Sequence, residues 1–209
     1  MDTTRLLAQF GQRRCILGII VESRSILEKR QGLKKKHIFL LLDTSGSMNL
    51  EQIGIVNHMF RELFSELDEL YRQHLITVDT VLFSDDAVLL EDVQALSNKQ
   101  LTWFDLPRET FQGRTSLGKA YRLVQQTCKL FDYPLTDTLI VLVTDGLPTD
   151  NFVFELEKMD PKKQTKRLSF LLGEKAKSII QIHTGFKTAK QYKQPNQLIE
   201  AIKGVIEHG

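Results

Sequence analysis

The chain is poor in cysteine, and what it has is not arranged for chemistry. Cys15 and Cys128 lie far apart in apolar surroundings, with no Cys-x-x-Cys or Cys/His spacing, which argues against zinc. Both read as free thiols that fill core space as small hydrophobes, which fits a reducing compartment; spacing alone leaves a disulfide between them open. Charge of one sign is also lacking. With 28 basic against 26 acidic side chains the formal charge is +2, so global electrostatics makes no case for nucleic acid or membrane. Long apolar runs are missing as well. Met1 to Phe10 carries Asp2 and Arg5, and Cys15 to Val21 falls far short of the roughly 20 residues of a membrane span. No export or anchoring segment is visible, so a cytoplasmic location is the expectation. Neither Gly-x-x-x-x-Gly-Lys-Ser/Thr nor Gly-x-Gly-x-x-Gly occurs, which disfavours a nucleotide module. No aromatic ladder interleaves with the basic residues at 29–36 and 162–167, as single-stranded nucleic acid would require.

What is present is apolar periodicity. At 209 residues and 42% hydrophobic content the chain has material for one sizeable core. His37 to Leu42 is almost wholly apolar and ends in Asp43, the pattern of a central parallel strand buried on both faces. From Leu50 to about Tyr71, Ile53, Val56, Phe60, Leu63, Phe64, Leu67 and Leu70 recur at helical spacing behind an Asn49/Gln52 cap. Leu75 to Phe83 reads as a strand, and Asp85-Asp86 separates it from Ala87 to Leu90 in a hairpin, which implies one antiparallel edge strand. A second helix is expected from Ser116 to Phe131. The next buried strand is Thr138 to Thr144, which again ends in an aspartate, Asp145. A short helix from Asp150 to Met159, strands at Leu168 to Leu172 and Ile179 to His183, and a helix from about Asn196 to Ile206 complete the pattern. Buried strands alternating with amphipathic helices predict a doubly wound, mostly parallel α/β sheet with helices on both faces. Residues 1–36 read as an extension of unassigned role, in which Cys15 to Val21 could form an extra strand and the basic run from Glu28 to Lys36 a solvated connection. The remainder, 37–209, reads as the folded domain.

In open α/β sheets ligands bind beyond the carboxyl ends of the strands, and here those ends carry oxygen donors. Asp43, Ser45 and Ser47 occupy alternate positions of Asp43-Thr44-Ser45-Gly46-Ser47, so a carboxylate and two hydroxyls can point to one side, while Gly46 lets the backbone turn. Thr115 lies just before the second helix in Gly113-Arg114-Thr115-Ser116, and Asp145 follows the strand at 138–144. An all-oxygen set completed by water suits a hard dication such as Mg2+, with Mn2+ or Ca2+ as alternatives, and does not suit zinc or copper. A cation so held stays electrophilic toward a carboxylate from another molecule.

In this order and on these elements, Asp43-x-Ser45-x-Ser47, Thr115 and Thr144-Asp145-Gly146 resemble the metal-ion-dependent adhesion site of von Willebrand factor A domains. The stretches Leu-Leu-Asp43-Thr-Ser-Gly-Ser-Met48, Gly113-Arg-Thr-Ser-Leu-Gly118 and Leu-Val-Thr-Asp145-Gly-Leu-Pro-Thr-Asp150 are most similar to a bacterial intracellular branch associated with tellurite resistance. The resemblance implies a Rossmann-like fold and a metal-bridged protein-interaction module that takes an Asp or Glu from its partner. In some relatives such a module works beside a protein kinase and a PP2C-type phosphatase in stress or defence systems. It assigns Asp43, Ser45, Ser47, Thr115 and Asp145 to the metal shell, some of them through water. One departure stands out: many members place a substantial helix between the last two strands, whereas only Gly173 to Ser178 separates Leu172 from Ile179.

Rival readings stay open. An enzyme would need more than Asp43: no second nearby aspartate follows it, Ser45 is not in a Gly-x-Ser-x-Gly elbow, and His37, His58, His74, His183 and His208 suit surface or packing roles better than catalysis. A metal-free scaffold would keep every hydrophobic feature. Near the site, Trp103, Phe104 and Phe111 could form an apolar rim that meets a partner, or pack under a long loop, and Arg114 could pair with the acid that the ion holds.

Overall fold

The alternation written into the strands decides which helix covers which face. The structure, a computed structural model, describes residues 35–73, 75–90, 101, 103–172, 189–190 and 195–208. Strand β1 (Lys36–Asp43) pairs in parallel with β2 (Ile76–Phe83) on one side and β4 (Thr138–Thr144) on the other. Its even-numbered residues Ile38, Leu40 and Leu42 join one buried cluster, and Phe39 and Leu41 join another, as the period of two requires. Helices α1 (Leu50–Arg72) and α4 (Pro195–His208) supply the first cluster, through residues such as Phe60, Leu63 and Leu198; α2 (Leu117–Phe131) and α3 (Phe152–Met159) supply the second through Tyr121, Val124 and Leu156. Each fully buried Leu or Phe contributes about 1.5–3 kcal/mol, so the middle of the sheet is a firm mount for whatever its strand ends carry.

The described strands run in the order β3-β2-β1-β4-β5-β6, with β3 (Ala87–Leu90) antiparallel at one edge and β5 (Lys166–Leu171) and β6 (Ala189–Lys190) parallel at the other. The chain leaves β1 toward β2 and β3, then returns to the opposite side of β1 to lay down β4. Strand order therefore reverses between β1 and β4, with helices departing to opposite faces, and a crevice opens beyond their carboxyl ends.

Boundaries follow local chemistry. At the start of α1 the Asn49 side chain accepts from Gln52 N at 2.9 Å and the Gln52 side chain accepts from Asn49 N at 2.8 Å, a reciprocal cap that satisfies two otherwise orphaned amides. Among the described residues β5 also pairs in parallel with Ala189–Lys190, at a separation that leaves room for the crossover of about a dozen residues or more that parallel neighbours need. The expected strand Ile179 to His183 lies outside the described residues, as do residues 1–34 with Cys15, and His74 and His183. Cys128 is a buried free thiol. Among the described residues no helix is long and apolar enough to cross a membrane.

Candidate functional site

Three chain segments meet at the crevice. Asp43, the last residue of β1, is fully buried. Its Oδ1 accepts from the Ser45 amide at 2.9 Å, and its Oδ2 accepts from the Thr144 hydroxyl at 2.5 Å. Ser45 and Ser47 share a hydroxyl–hydroxyl bond of 3.0 Å, and the Ser47 hydroxyl donates to Asp145 Oδ1 at 2.8 Å. Thr44 faces the other way, its amide and hydroxyl both donating to the Phe83 carbonyl. The alternate positions 43, 45 and 47 therefore do share one side, as expected of a gently turning segment.

Thr115 completes the group. A methyl group built on Gly146 would stand 3.2 Å from Thr115 Oγ1, 3.5 Å from Ser47 Oγ and 3.9 Å from Asp43 Oδ2. Oxygens from two separated segments thus converge on a point beside a third, and the missing side chain of Gly146 leaves that point open. The sequence-designated residues Asp43, Ser45, Ser47, Thr115 and Asp145 are all at this mouth. Their donor set is two carboxylates and three hydroxyls, the chemistry that suits a hard dication.

The electrostatics agree with the geometry. Burial pushes the Asp43 carboxyl up to about 6, in spite of the hydrogen bonds from Thr144 and Ser45, and the nearby charge of Asp145 adds to the rise. Among the described residues no lysine, arginine or histidine is one of the groups acting on it. An isolated buried anion is costly unless it meets a counter-charge, and a cation at the point just described would supply one.

Residues outside the expected set hold the mouth in shape. Gly113 takes φ +82°, and a side chain there would stand 2.5 Å from Asp85 Oδ2, so glycine is required. Asp85 Oδ1 accepts from the Arg114 amide at 3.1 Å, and the Gly113 carbonyl accepts from the Gly46 amide at 3.1 Å. Thr144 precedes the expected ligand Asp145 in the motif, and its hydroxyl is the closest hydrogen-bond partner of Asp43 among the described residues. Its position opposite the end of β1 was the available signal. Asp150 corrects the expected start of α3: Asn151 caps that helix, accepting from Phe154 N at 3.4 Å. Asp150 instead accepts from the first amides of α2.

The tentative partner contacts divide. Arg114 is exposed beside the mouth. Trp103 is only 6% exposed and lies in the core against Phe60 and Phe64, with ring centroids 4.5 and 5.5 Å away. Its indole N–H donates to Asn57 Oδ1 at 3.3 Å. Of the two roles open to Trp103, rim or packing, it takes packing and not the tentative partner contact, because a buried partner for the N–H lets the whole ring leave water. Phe111 is buried in the same cluster, and Phe104 is exposed. His37 is also a packing residue, stacked on Tyr133 at 3.7 Å with Nδ1 2.9 Å from the Thr77 hydroxyl.

A family model for the von Willebrand factor type A domain matches residues 37–204. The chain belongs to this family. The vWA fold is shared with solved structures at low sequence identity. Manganese-loaded TRAP protein from Plasmodium vivax is 19% identical, with a TM-score of 0.63 over 82% of this chain and 73% of that one. An aerotolerance-related membrane protein from Bacteroides fragilis is 14% identical, with a TM-score of 0.58 over 83% of this chain and all of that one. A von Willebrand factor type A protein from Catenulispora acidiphila is 13% identical, with a TM-score of 0.54 over 83% of this chain and 42% of that one. A comparison with curated proteins finds no significant match. At such identities the structural likeness to these proteins speaks for the fold of the vWA domain, and function has to be argued from the site.

Proposed function

We propose that this vWA domain binds one divalent cation through Asp43, Ser45, Ser47, Thr115 and Asp145, as a metal-ion-dependent adhesion site, and uses it to hold an acidic residue of a protein partner. The observation that carries the proposal is the convergence of Thr115, Ser47 and Asp43 oxygens on the space beside Gly146, combined with a buried Asp43 whose charge no cationic group among the described residues offsets. A bound dication would supply a Lewis-acidic centre able to accept a carboxylate. Mg2+ is the expected ion; the manganese-loaded state of the Plasmodium vivax relative supports Mn2+ as a second.

The chain's own residues do the rest. Asp43 and Asp145 supply the negative charge, the hydroxyls of Ser45, Ser47 and Thr115 supply neutral donors, and Thr144 fixes the Asp43 carboxylate by its hydrogen bond. Exposed Arg114 is placed to pair with the partner's acid. Binding rather than catalysis is favoured because no histidine of the described residues stands among the mouth residues to act as a base. A cytoplasmic setting, and a partnership with a protein kinase and a PP2C-type phosphatase in a bacterial stress or defence system, belong to the same proposal through the tellurite-resistance-like motifs.

Calorimetry with Mg2+ and Mn2+ tests it. Wild type is expected to bind one ion, and Asp43→Ala or Asp145→Ala to abolish binding. A wild type blind to both metals leaves only the metal-free scaffold. Partner capture with and without chelator then tests the bridge: a partner retained in chelator would sink it.

A further inference from the structure

Thr115 and Asp145 come from different loops, and their spacing has to be set by something other than the cation. The loop after β4 reaches back across the start of α2. The Thr149 amide and hydroxyl both donate to the Thr115 carbonyl, at 2.8 and 3.2 Å. The next residue, Asp150, accepts from the Gly118 amide through Oδ1 at 3.0 Å and from the Lys119 amide through Oδ2 at 3.2 Å. Ser116 precedes α2 and makes no side-chain cap, so a carboxylate from another loop takes the place of the usual local cap. The fit is close: a methyl group on Gly118 would stand 2.8 Å from Asp150 Oδ2 and 3.2 Å from the Phe152 Cα.

We propose that Thr149 and Asp150 are positioning residues which latch the Thr115 segment to the Asp145 loop, so that oxygen donors from two loops open and close as one unit. The consequence for metal affinity rests on the function proposed above; the mechanical coupling does not. Four hydrogen bonds within two consecutive residues, all directed to the Thr115–Lys119 segment, tie the loops more tightly than a helix cap requires. The Thr149 bonds in particular end on the carbonyl of a proposed ligand residue rather than on a helix terminus. Groups behind the ligands of a metal site set its affinity by holding those ligands in place, and their loss commonly lowers it 10–100-fold.

Amide hydrogen exchange on the full chain in chelator separates a latch from a cap. Asp150→Ala will accelerate exchange at Gly118 and Lys119 in either case. The latch requires acceleration also at Ser116 and Gly146, which Asp150 does not touch; an effect confined to Gly118 and Lys119 overturns it. With Mg2+, Asp150→Ala and Gly118→Ala should each weaken binding about tenfold. The double variant should be no weaker than either single one, because both cut the same contact. The core variant Ile202→Val, remote on α4, should lose comparable thermal stability without losing affinity. An equal loss of affinity in Ile202→Val, or fully additive losses in the double variant, would reduce Asp150 to a general stabiliser. If wild type binds no metal, the proposed function fails and the exchange result still decides the latch.

Discussion

Asp43 and Asp160 are hidden from water to the same degree, 0% and 2% exposed, yet their carboxyls are driven in opposite directions. At Asp160, in the turn between α3 and β5, burial pushes the carboxyl up, but the Thr165 hydroxyl, the Gln164 and Thr165 amides and the Arg167 guanidinium together bring it below the ordinary range. At Asp43 burial wins and the carboxyl rises to about 6. Both accept hydrogen bonds from a threonine hydroxyl and from backbone, but Asp160 accepts from two amides to Asp43's one and, unlike Asp43 among the described residues, adds a guanidinium, with Arg167 Nη2 2.9 Å away. Asp160 finds its counter-charge in the chain. On the proposed function Asp43 leaves that place to a cation from solution, and the fold bears the cost of the uncompensated carboxylate.

The comparison breaks most visibly at Asp160. Asp160→Ala would take the carboxylate from Arg167, whose side chain is 5% exposed, and losing one member of a buried pair costs about 3–5 kcal/mol. Urea denaturation reads this directly, and a loss under about 1 kcal/mol would erase the contrast. The opposite sign is expected at Asp43. Its carboxyl titrates at about 6 in the fold against the ordinary 3.8, so the native chain keeps its proton longer than the unfolded one. In chelator, stability should therefore fall as pH rises through that window, by on the order of 3 kcal/mol in total. Asp43→Asn lacks the titration and should be the more stable protein above pH 6, while binding no metal. A variant less stable than wild type at pH 8 in chelator would count against a strained carboxylate. The same proton competes with the metal. Below about pH 6 Mg2+ affinity should drop by up to tenfold per pH unit, because the protonated carboxyl must ionise before it ligates; flat affinity between pH 5 and 7 in calorimetry would place Asp43 outside the metal shell.

Much of this was legible before any coordinates. Period-two alternation in Ile38 to Leu42 and helical spacing in Ile53 to Leu70 are local signals, and they place β1, α1 and the mouth between β1 and β4. The oxygen donors were legible because residue type and strand end coincide. What was not legible depends on contacts across the chain. Asp150 reads locally as a helix start and instead caps a helix 32 residues earlier in the chain. Trp103 reads in the sequence as either a rim residue beside Thr115 or packing under a loop, and only Asn57, on another element, taking its N–H decides for packing. Asp85 looked like a turn residue, and the need for it appears only once Gly113 is seen at φ +82°.

The finest test uses two glycines of the site loops. Gly113→Ala places a side chain at a left-handed φ and 2.5 Å from Asp85 Oδ2, so it should cost more than about 1 kcal/mol of stability. Gly146 is not among the residues at positive φ, and its amide bond to the Thr144 hydroxyl at 3.2 Å survives replacement by alanine. Gly146→Ala should therefore change stability by less than about 1 kcal/mol, since the entropy removed from the unfolded chain offsets a 3.2 Å contact with Thr115 Oγ1. Its methyl group would nevertheless stand among the oxygens of Thr115, Ser47 and Asp43, where the proposed cation has to sit. A folded Gly146→Ala protein with metal affinity reduced at least tenfold isolates the space itself from the ligands around it. Undiminished affinity in that protein would mean that the ion, if bound, sits elsewhere than the point where these three oxygens converge.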